Sequence, residues 1–275
     1  MIRFPGVGAV PARAHERVMP MQRARRLASV AVVATLAVTG LAACRSAPDV
    51  AVYTGQSATV TVAEVQRIWT DARDKLTAAR DAAAANGEQA GASAAPPAPV
   101  EVPFDAPDVV STLVGHDVVT RLARTQNVTL PADLPLDRAG QSIGLPGDAE
   151  YTRLYTETRL LFDQLLQKAT PAQTSDADLR AVFKVFEDTP GAMQPGTTYE
   201  QFQQQVPPEA LQTLGRAVAV RDQVQQQLDQ LDVRVNPRYE SAEISVYAEP
   251  GPNNETLSLV SVPLSDTESP VTDAA

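Results

Sequence analysis

One cysteine, two histidines and a few clustered carboxylates are the residues of this chain whose types could carry chemistry. Cys44 is the most informative. From Met21 the sequence reads "MQRARRLASVAVVATLAVTGLAAC": three arginines, an apolar stretch from Leu27 to Ala43, then the thiol behind two alanines. A charged start, an apolar centre and small residues before a cut are the parts of a secretory signal. The apolar stretch of about 17 residues lies at the short limit for spanning a bilayer, and polar sequence follows at once, so a cleaved signal is predicted rather than a membrane-spanning anchor. A lone cysteine has no internal disulfide partner, and with two histidines it cannot complete a four-ligand zinc site.

The other candidates are weaker. His116 and Asp117 could suggest a base and its orienter, but adjacent residues on a helix point apart. Asp176 and Asp178 stand near a predicted helix start, where carboxylates complement the positive end of the dipole without any metal. Asn254-Glu255-Thr256 matches a glycosylation acceptor and is read as a chance match. No Gly-x-Ser-x-Gly elbow and no glycine-rich phosphate loop occurs. The sequence therefore predicts a protein that is not an enzyme and takes no metal or cofactor.

Charge narrows the partners. After Cys44, 17 lysines and arginines stand against 32 aspartates and glutamates. Nucleic acid is an unsuitable ligand for so acidic a surface, because phosphate binding needs a cationic excess. Only three lysines accompany 20 arginines, and alanine and proline are abundant, as in high-GC bacterial genomes.

Positioning elements follow from periodicity. "VAVYTGQSATVTVAEVQRIW" predicts strand, turn, strand and helix, with Val50, Val52, Ala58 and Val60 on the alternating face and Gly55 in the turn. Thr61 and Glu64 form a capping-box signature, so a helix should begin at 62. Val65, Ile68, Trp69, Ala72, Leu76 and Ala79 keep helical spacing to about Ala85, with Trp69 as a core anchor. Residues 82–107, rich in Ala, Gly and Pro, predict a flexible loop. A helix starting at Asp105 or Asp108 carries Val110, Val114, Val118 and Leu122, and "NVTLPADLPLD" is a connection. The helix over 147–169 has an apolar stripe of Tyr151, Leu154, Tyr155, Thr158, Leu161, Phe162, Leu165 and Leu166, with Arg153, Glu157 and Arg159 on its polar side. Ser175 or Thr174 caps a helix bearing Leu179, Val182, Phe183 and Phe186. Tyr199 to Gln205 predicts a short helical turn, and Pro207 and Pro208 open a long helix through Leu231. Leu214, Ala217, Val218, Val224, Leu228 and Leu231 form its buried stripe, and glutamines such as Gln212 and Gln226 its exterior. Val233 and Val235 predict a strand stopped by Pro237. Two further strands are expected within 241–262.

The ending Leu41-Ala42-Ala43-Cys44 resembles the bacterial lipobox. That resemblance implies a diacylglyceryl group on the Cys44 thiol, cleavage before it, and a mature chain held in the membrane by acyl chains, of which one alone binds only marginally. The order of the lipid-anchored cysteine, "AVYTGQSATVTVAEV", a set of helices, a long helix and "DVRVNPRY" resembles the SurA/PrsA family of envelope chaperones, above all actinobacterial lipoproteins with SurA N-terminal domains. It covers about 50 to 238. The Thr-rich second strand and "PRYESAEISV", where relatives tend to carry glycine after the aromatic, depart from the pattern.

The resemblance implies a mainly α, SurA N-domain-like chaperone fold with a small β element formed by N- and C-terminal strands. It also implies that a parvulin isomerase domain is missing, since only about 20 residues lie where one would be inserted. Domain boundaries follow: 1–43 signal peptide, of which 1–20 read as an upstream start-site choice; 44–49 tether; 50–238 helical domain; 239–275 C-terminal extension with a disordered acidic tail. The expected function is a lipid-anchored chaperone on the outer face of the cytoplasmic membrane, binding unfolded or newly secreted polypeptides. The alternative is a structural or adaptor lipoprotein with one folded partner.

Overall fold

A computed structural model describes residues 49–55, 57–87, 100–252 and 255–265. Cys44 with the segment expected to be its signal, residues 88–99 of the Ala/Pro-rich loop, Asn254 and the acidic tail from 266 lie outside them. The described residues all belong to one compact unit. Among the described residues it is mainly helical: β1 (Val50–Thr54), β2 (Ser57–Thr61), α1 (Val62–Gly87), α2 (Ala106–Thr125), α3 (Leu136–Ile143), α4 (Glu150–Lys168), α5 (Asp176–Asp188), α6 (Tyr199–Gln205), α7 (Pro208–Leu231), β3 (Val233–Val235), β4 (Glu243–Pro250) and β5 (Thr256–Pro263).

The expected β element joins both ends of the domain. β1 is central in the order β2-β1-β3, antiparallel to each neighbour, with Val52 opposite Val60 on one side and Val235 on the other. Gly55 turns the β1–β2 hairpin at φ +58°, a left-handed conformation that glycine adopts freely, and its N–H donates to the Asp232 carbonyl at 3.0 Å. Asn236 completes the closure. Its Nδ2 donates to the Val50 carbonyl at 3.0 Å, its backbone N–H to Ala51 at 2.9 Å, and its Oδ1 accepts from the Arg238 N–H at 3.1 Å. Strand bulges shift the register between Val50 and Val52 and again between Val52 and Tyr53; across the second, Val60 is buried while Ala58 is exposed, against simple alternation.

Local signals place the helices. Thr61 Oγ1 accepts from the Glu64 N–H at 3.1 Å and starts α1 at 62; the return bond from Glu64 does not form among the described residues. Asp105 caps α2 in a full capping box with Asp108. Val110, Val114, Val118 and Leu122 of α2 are buried with Leu161, Phe162 and Leu165 of α4 and Leu214, Val218 and Val224 of α7 in one hydrophobic cluster. α7 passes close to the 169–175 connection. A Cβ on Gly215 would lie 2.5 Å from the Ala172 carbonyl, and the Ala172 N–H donates to the Gly215 carbonyl at 3.0 Å.

Four features differ from the sequence reading. The proline-marked connection contains α3, a helix of only eight residues whose Leu136, Ala139, Gly140 and Ile143 share the inner side and whose brevity among prolines hid it. Trp69 is half-buried, with the Arg73 guanidinium 5.3 Å from its ring; Ile68, fully buried, anchors α1 instead, because a 100° step carries Trp69 to the flank of the stripe. Glu157 and Arg159 are partly buried rather than on an open polar face. The β4–β5 hairpin is no peripheral extension. Ile244, Val246, Leu257, Leu259 and Val262 share the same core, and the hairpin packs on α2, α5 and α7.

Asn236→Ala removes a buried amide and leaves the Val50 carbonyl unpaired, which should lower stability by about 1–3 kcal/mol in urea unfolding followed by far-UV circular dichroism. Unchanged unfolding would show that the closure does not rest on this side chain.

Candidate functional site

The clearest concavity of apolar character lies beside the long helix, between α5, α6, the first turns of α7 and the hairpin. α5 is fixed first. Ser175 Oγ accepts from the Asp178 N–H at 3.1 Å, and Asp178 Oδ2 accepts from the Ser175 N–H at 2.9 Å. Arg221 of α7 binds the other oxygen of Asp178, tying the start of α5 to the middle of α7. Burial pushes the Asp178 carboxyl up, but hydrogen bonds from Ser175 and Arg221 outweigh it and hold the group below its ordinary range. Asp176 accepts from the Tyr199 hydroxyl at 2.6 Å and from Arg180 Nε at 2.7 Å, and these bonds lower its pKa too. Both carboxylates are thus helix-start groups that also tie neighbouring elements together.

α6 is fixed next. Thr198 and Gln201 form its capping box, and Phe202 on its inner side meets Phe183 and Phe186 of α5 at ring-centroid distances of 5.5 and 6.0 Å. Pro207 and Pro208 then end one helix and begin the next, setting α6 and α7 as separate walls.

The resulting groove encloses about 490 Å3. Phe186, Phe202, Val206, Ala210, Leu214 and Leu259 supply apolar wall. Glu209 and Glu249 are its charged residues, and no Lys, Arg or His among the described residues lines it. Tyr247, at the hairpin side, donates its hydroxyl to Glu249; burial first, then this bond, raises its pKa. No nucleophile paired with a base lies in the groove. What such a surface can do is bury apolar side chains, at roughly 25 cal/mol per Å2 removed from water.

The sequence candidates do not converge here. His116 Nε2 is 2.9 Å from Glu157 Oε2 across α2 and α4, whereas Asp117 accepts from Arg121 at 2.9 Å, so the adjacent pair is indeed divided between separate partners. Among the described residues no group of three or more His, Cys, Asp or Glu is arranged to hold a metal ion, and no helix is long and apolar enough to cross a membrane. Against family models, curated proteins and solved structures, the chain matches none. Its functional reading rests on its own residues. Periodicity had marked Leu179, Val182 and Phe186 as apolar, but not that α6 stops short of covering them; the Pro-Pro break was the available signal. Tyr247 and Leu259 could not be assigned to the groove because the hairpin's docking is nonlocal.

The Asp178 geometry makes a pH prediction. A carboxyl held low in the folded state stabilises it above the unfolded-state pKa near 4, and that contribution disappears as pH falls through the folded value. Asp178→Asn should therefore destabilise the protein at pH 7 and differ less from the parent at pH 3, measured by urea unfolding at both. An equal deficit at the two pH values would contradict the ionised tie.

Proposed function

We propose that this chain is a lipid-anchored, extracytoplasmic binding protein of chaperone type, which holds apolar segments of unfolded or newly secreted polypeptides in the α5–α6–α7 groove. The groove itself carries the reading: it is open, mostly apolar, and has none of the polar constellation a small-molecule reaction needs. Binding there is reversible burial, sequence-tolerant because flexible apolar contact rather than hydrogen-bond readout dominates. The acidic exterior keeps a loaded complex soluble.

Cys44 supplies the location in this reading. With a diacylglyceryl group on its thiol, the short tether Arg45–Asp49 holds β1 close to the outer face of the cytoplasmic membrane, where secreted chains emerge. The SurA/PrsA-like order is supported by the pairing of β1 with β3, the arrangement that likeness implies for the two ends of such a domain. Only residues 189–198 separate α5 from α6, which supports a chaperone part without an inserted isomerase. The second reading, an adaptor for one folded partner, would use the exposed glutamines of α7 such as Gln212 and Gln226. The groove favours the first.

Residues 46–275 should suppress aggregation of several unrelated denatured proteins, and Phe202→Asp should weaken capture of a fluorescent apolar peptide by roughly tenfold or more, the loss expected for one buried aromatic contact. Failure with every client, while a single folded protein co-purifies, would overturn the chaperone reading in favour of the adaptor. Cys44→Ser should abolish incorporation of labelled lipid and release the protein from membranes; incorporation that persists would contradict the anchor.

A further inference from the structure

The capture groove carries charge of one sign. Its ionisable wall residues are Glu209, in the first turn of α7, and Glu249, on β4, apart from the hydroxyl of Tyr247. One carboxylate comes from the helical wall and one from the hairpin. Gln205 and Thr213, the other polar residues of the wall, are neutral.

The hairpin aims Glu249. Residues 247 and 249 are two apart on β4 and share a face, and the Tyr247 hydroxyl donates to Glu249 Oε1. Ala248, between them, lines a different cavity on the other face, together with its strand partner Ser258. The tyrosine bond uses one carboxylate oxygen and leaves Oε2 for a second donor. A neutral hydroxyl does not cancel the charge.

The helix start sets Glu209. Pro207 and Pro208 have no N–H, so the free donors at this end of α7 are those of Glu209 and Ala210. The positive end of a helix dipole amounts to roughly half an elementary charge, and a whole carboxylate outweighs it. Nearby cations are already engaged. Lys184 of α5 pairs with Asp188 and Glu187, and Arg221 of α7 with Asp178 and Asp222. Arg159, whose charge is felt at the Tyr247 hydroxyl, stands 3.7 Å from Asp163. The ion pairs among the described residues all use carboxylates other than Glu209 and Glu249.

The geometry points to apolar segments flanked by lysine or arginine as the class of polypeptide this groove selects. Their apolar side chains would lie against Phe186, Phe202 and Leu259, with the cationic flanks at Glu209 and Glu249. This selection rests on the capture reading and narrows it. Acidic flanks meet like charge, and neutral flanks are held by apolar burial alone. The acidic surface beyond Cys44, with 32 carboxylates against 17 lysines and arginines, adds a field that draws basic segments in.

The test is fluorescence anisotropy with the full chain and neutral phosphatidylcholine vesicles, vesicles alone being the blank. Three labelled peptides share the core Leu-Ala-Phe-Ala-Leu and carry Lys, Gln or Asp at both flanks. The Lys-flanked peptide should bind on the order of fivefold tighter than the Gln-flanked one, the size of two exposed ion pairs, and the Asp-flanked one most weakly. With Glu209→Gln and Glu249→Gln combined, the ratio of Lys to Gln affinities should fall to about one; in the parent it should shrink between about 0.05 and about 0.5 M NaCl, because exposed pairs are screened. The salt series needs no variant, so it decides the matter if the double substitution fails to fold. The selection is overturned if the Gln- or Asp-flanked peptide binds as tightly as the Lys-flanked one, or if the ratio is unmoved by the substitutions or by salt. Equal binding of all three sinks the charge selection and leaves capture in the groove standing, whereas binding of none overturns both.

Discussion

The pairing of β1 with β3 is the constraint on which the remaining structure depends. It closes the chain over more than 180 residues, from Val50 to Asn236, through strand bonds and one buried amide. Closure entropy grows only slowly with loop length, so one such clasp can fix a long intervening segment. Because β1 leads through β2 directly into α1, and α7 leads directly into β3, the clasp sets where α1 begins and where α7 ends. The helices between are then packed by their apolar stripes around Phe162 and Val110. Only one polar side chain of the clasp, Asn236, is deeply buried, and both its amide nitrogen and its oxygen are satisfied.

The groove is a consequence of what this arrangement leaves uncovered. α7 reaches the core through Leu214, Val218, Val224 and Leu228, while its first turns line the groove with α5, α6 and the hairpin. α6 has seven residues, too few to close over the apolar side of α5. Asp178 and Arg221 hold α5 against α7 from the polar side, while the Phe183, Phe186 and Phe202 rings hold it to α6. Rigid walls with an open top are the outcome. Apolar contact here is available without unfolding any element, which suits fast, reversible capture.

Much of this was legible in sequence, for physical reasons that also mark where legibility ended. Helix starts were readable because capping is local: Thr61, Asp105 and Ser175 all accept from a backbone N–H within three residues. The buried stripes of α2, α4 and α7 were readable because apolar residues recur there over five turns or more. Trp69 was misjudged because hydrophobicity does not report which side of a stripe is covered. α3 was missed because two turns between prolines are too short for a repeat to stand out. The hairpin's strands were anticipated, but not that Ile244, Val246 and Val262 would complete the helical core, since that depends on contacts more than 100 residues apart. The groove was the least legible: its wall uses the same residue types as the core, and only three-dimensional packing separates them.

The proposed function requires that apolar segments be captured in the groove and not on the glutamine-bearing face of α7. Site-specific photo-crosslinking tests this most directly, with a photoreactive phenylalanine at Ala210, which is exposed and lines the groove, or at Gln226, which is exposed on α7 away from it. With denatured clients present, adducts to several unrelated polypeptides should form from position 210 and not from 226, and should disappear when the clients are folded. Adducts from 226 to one folded partner, with none from 210, would show that the groove is not where partners bind.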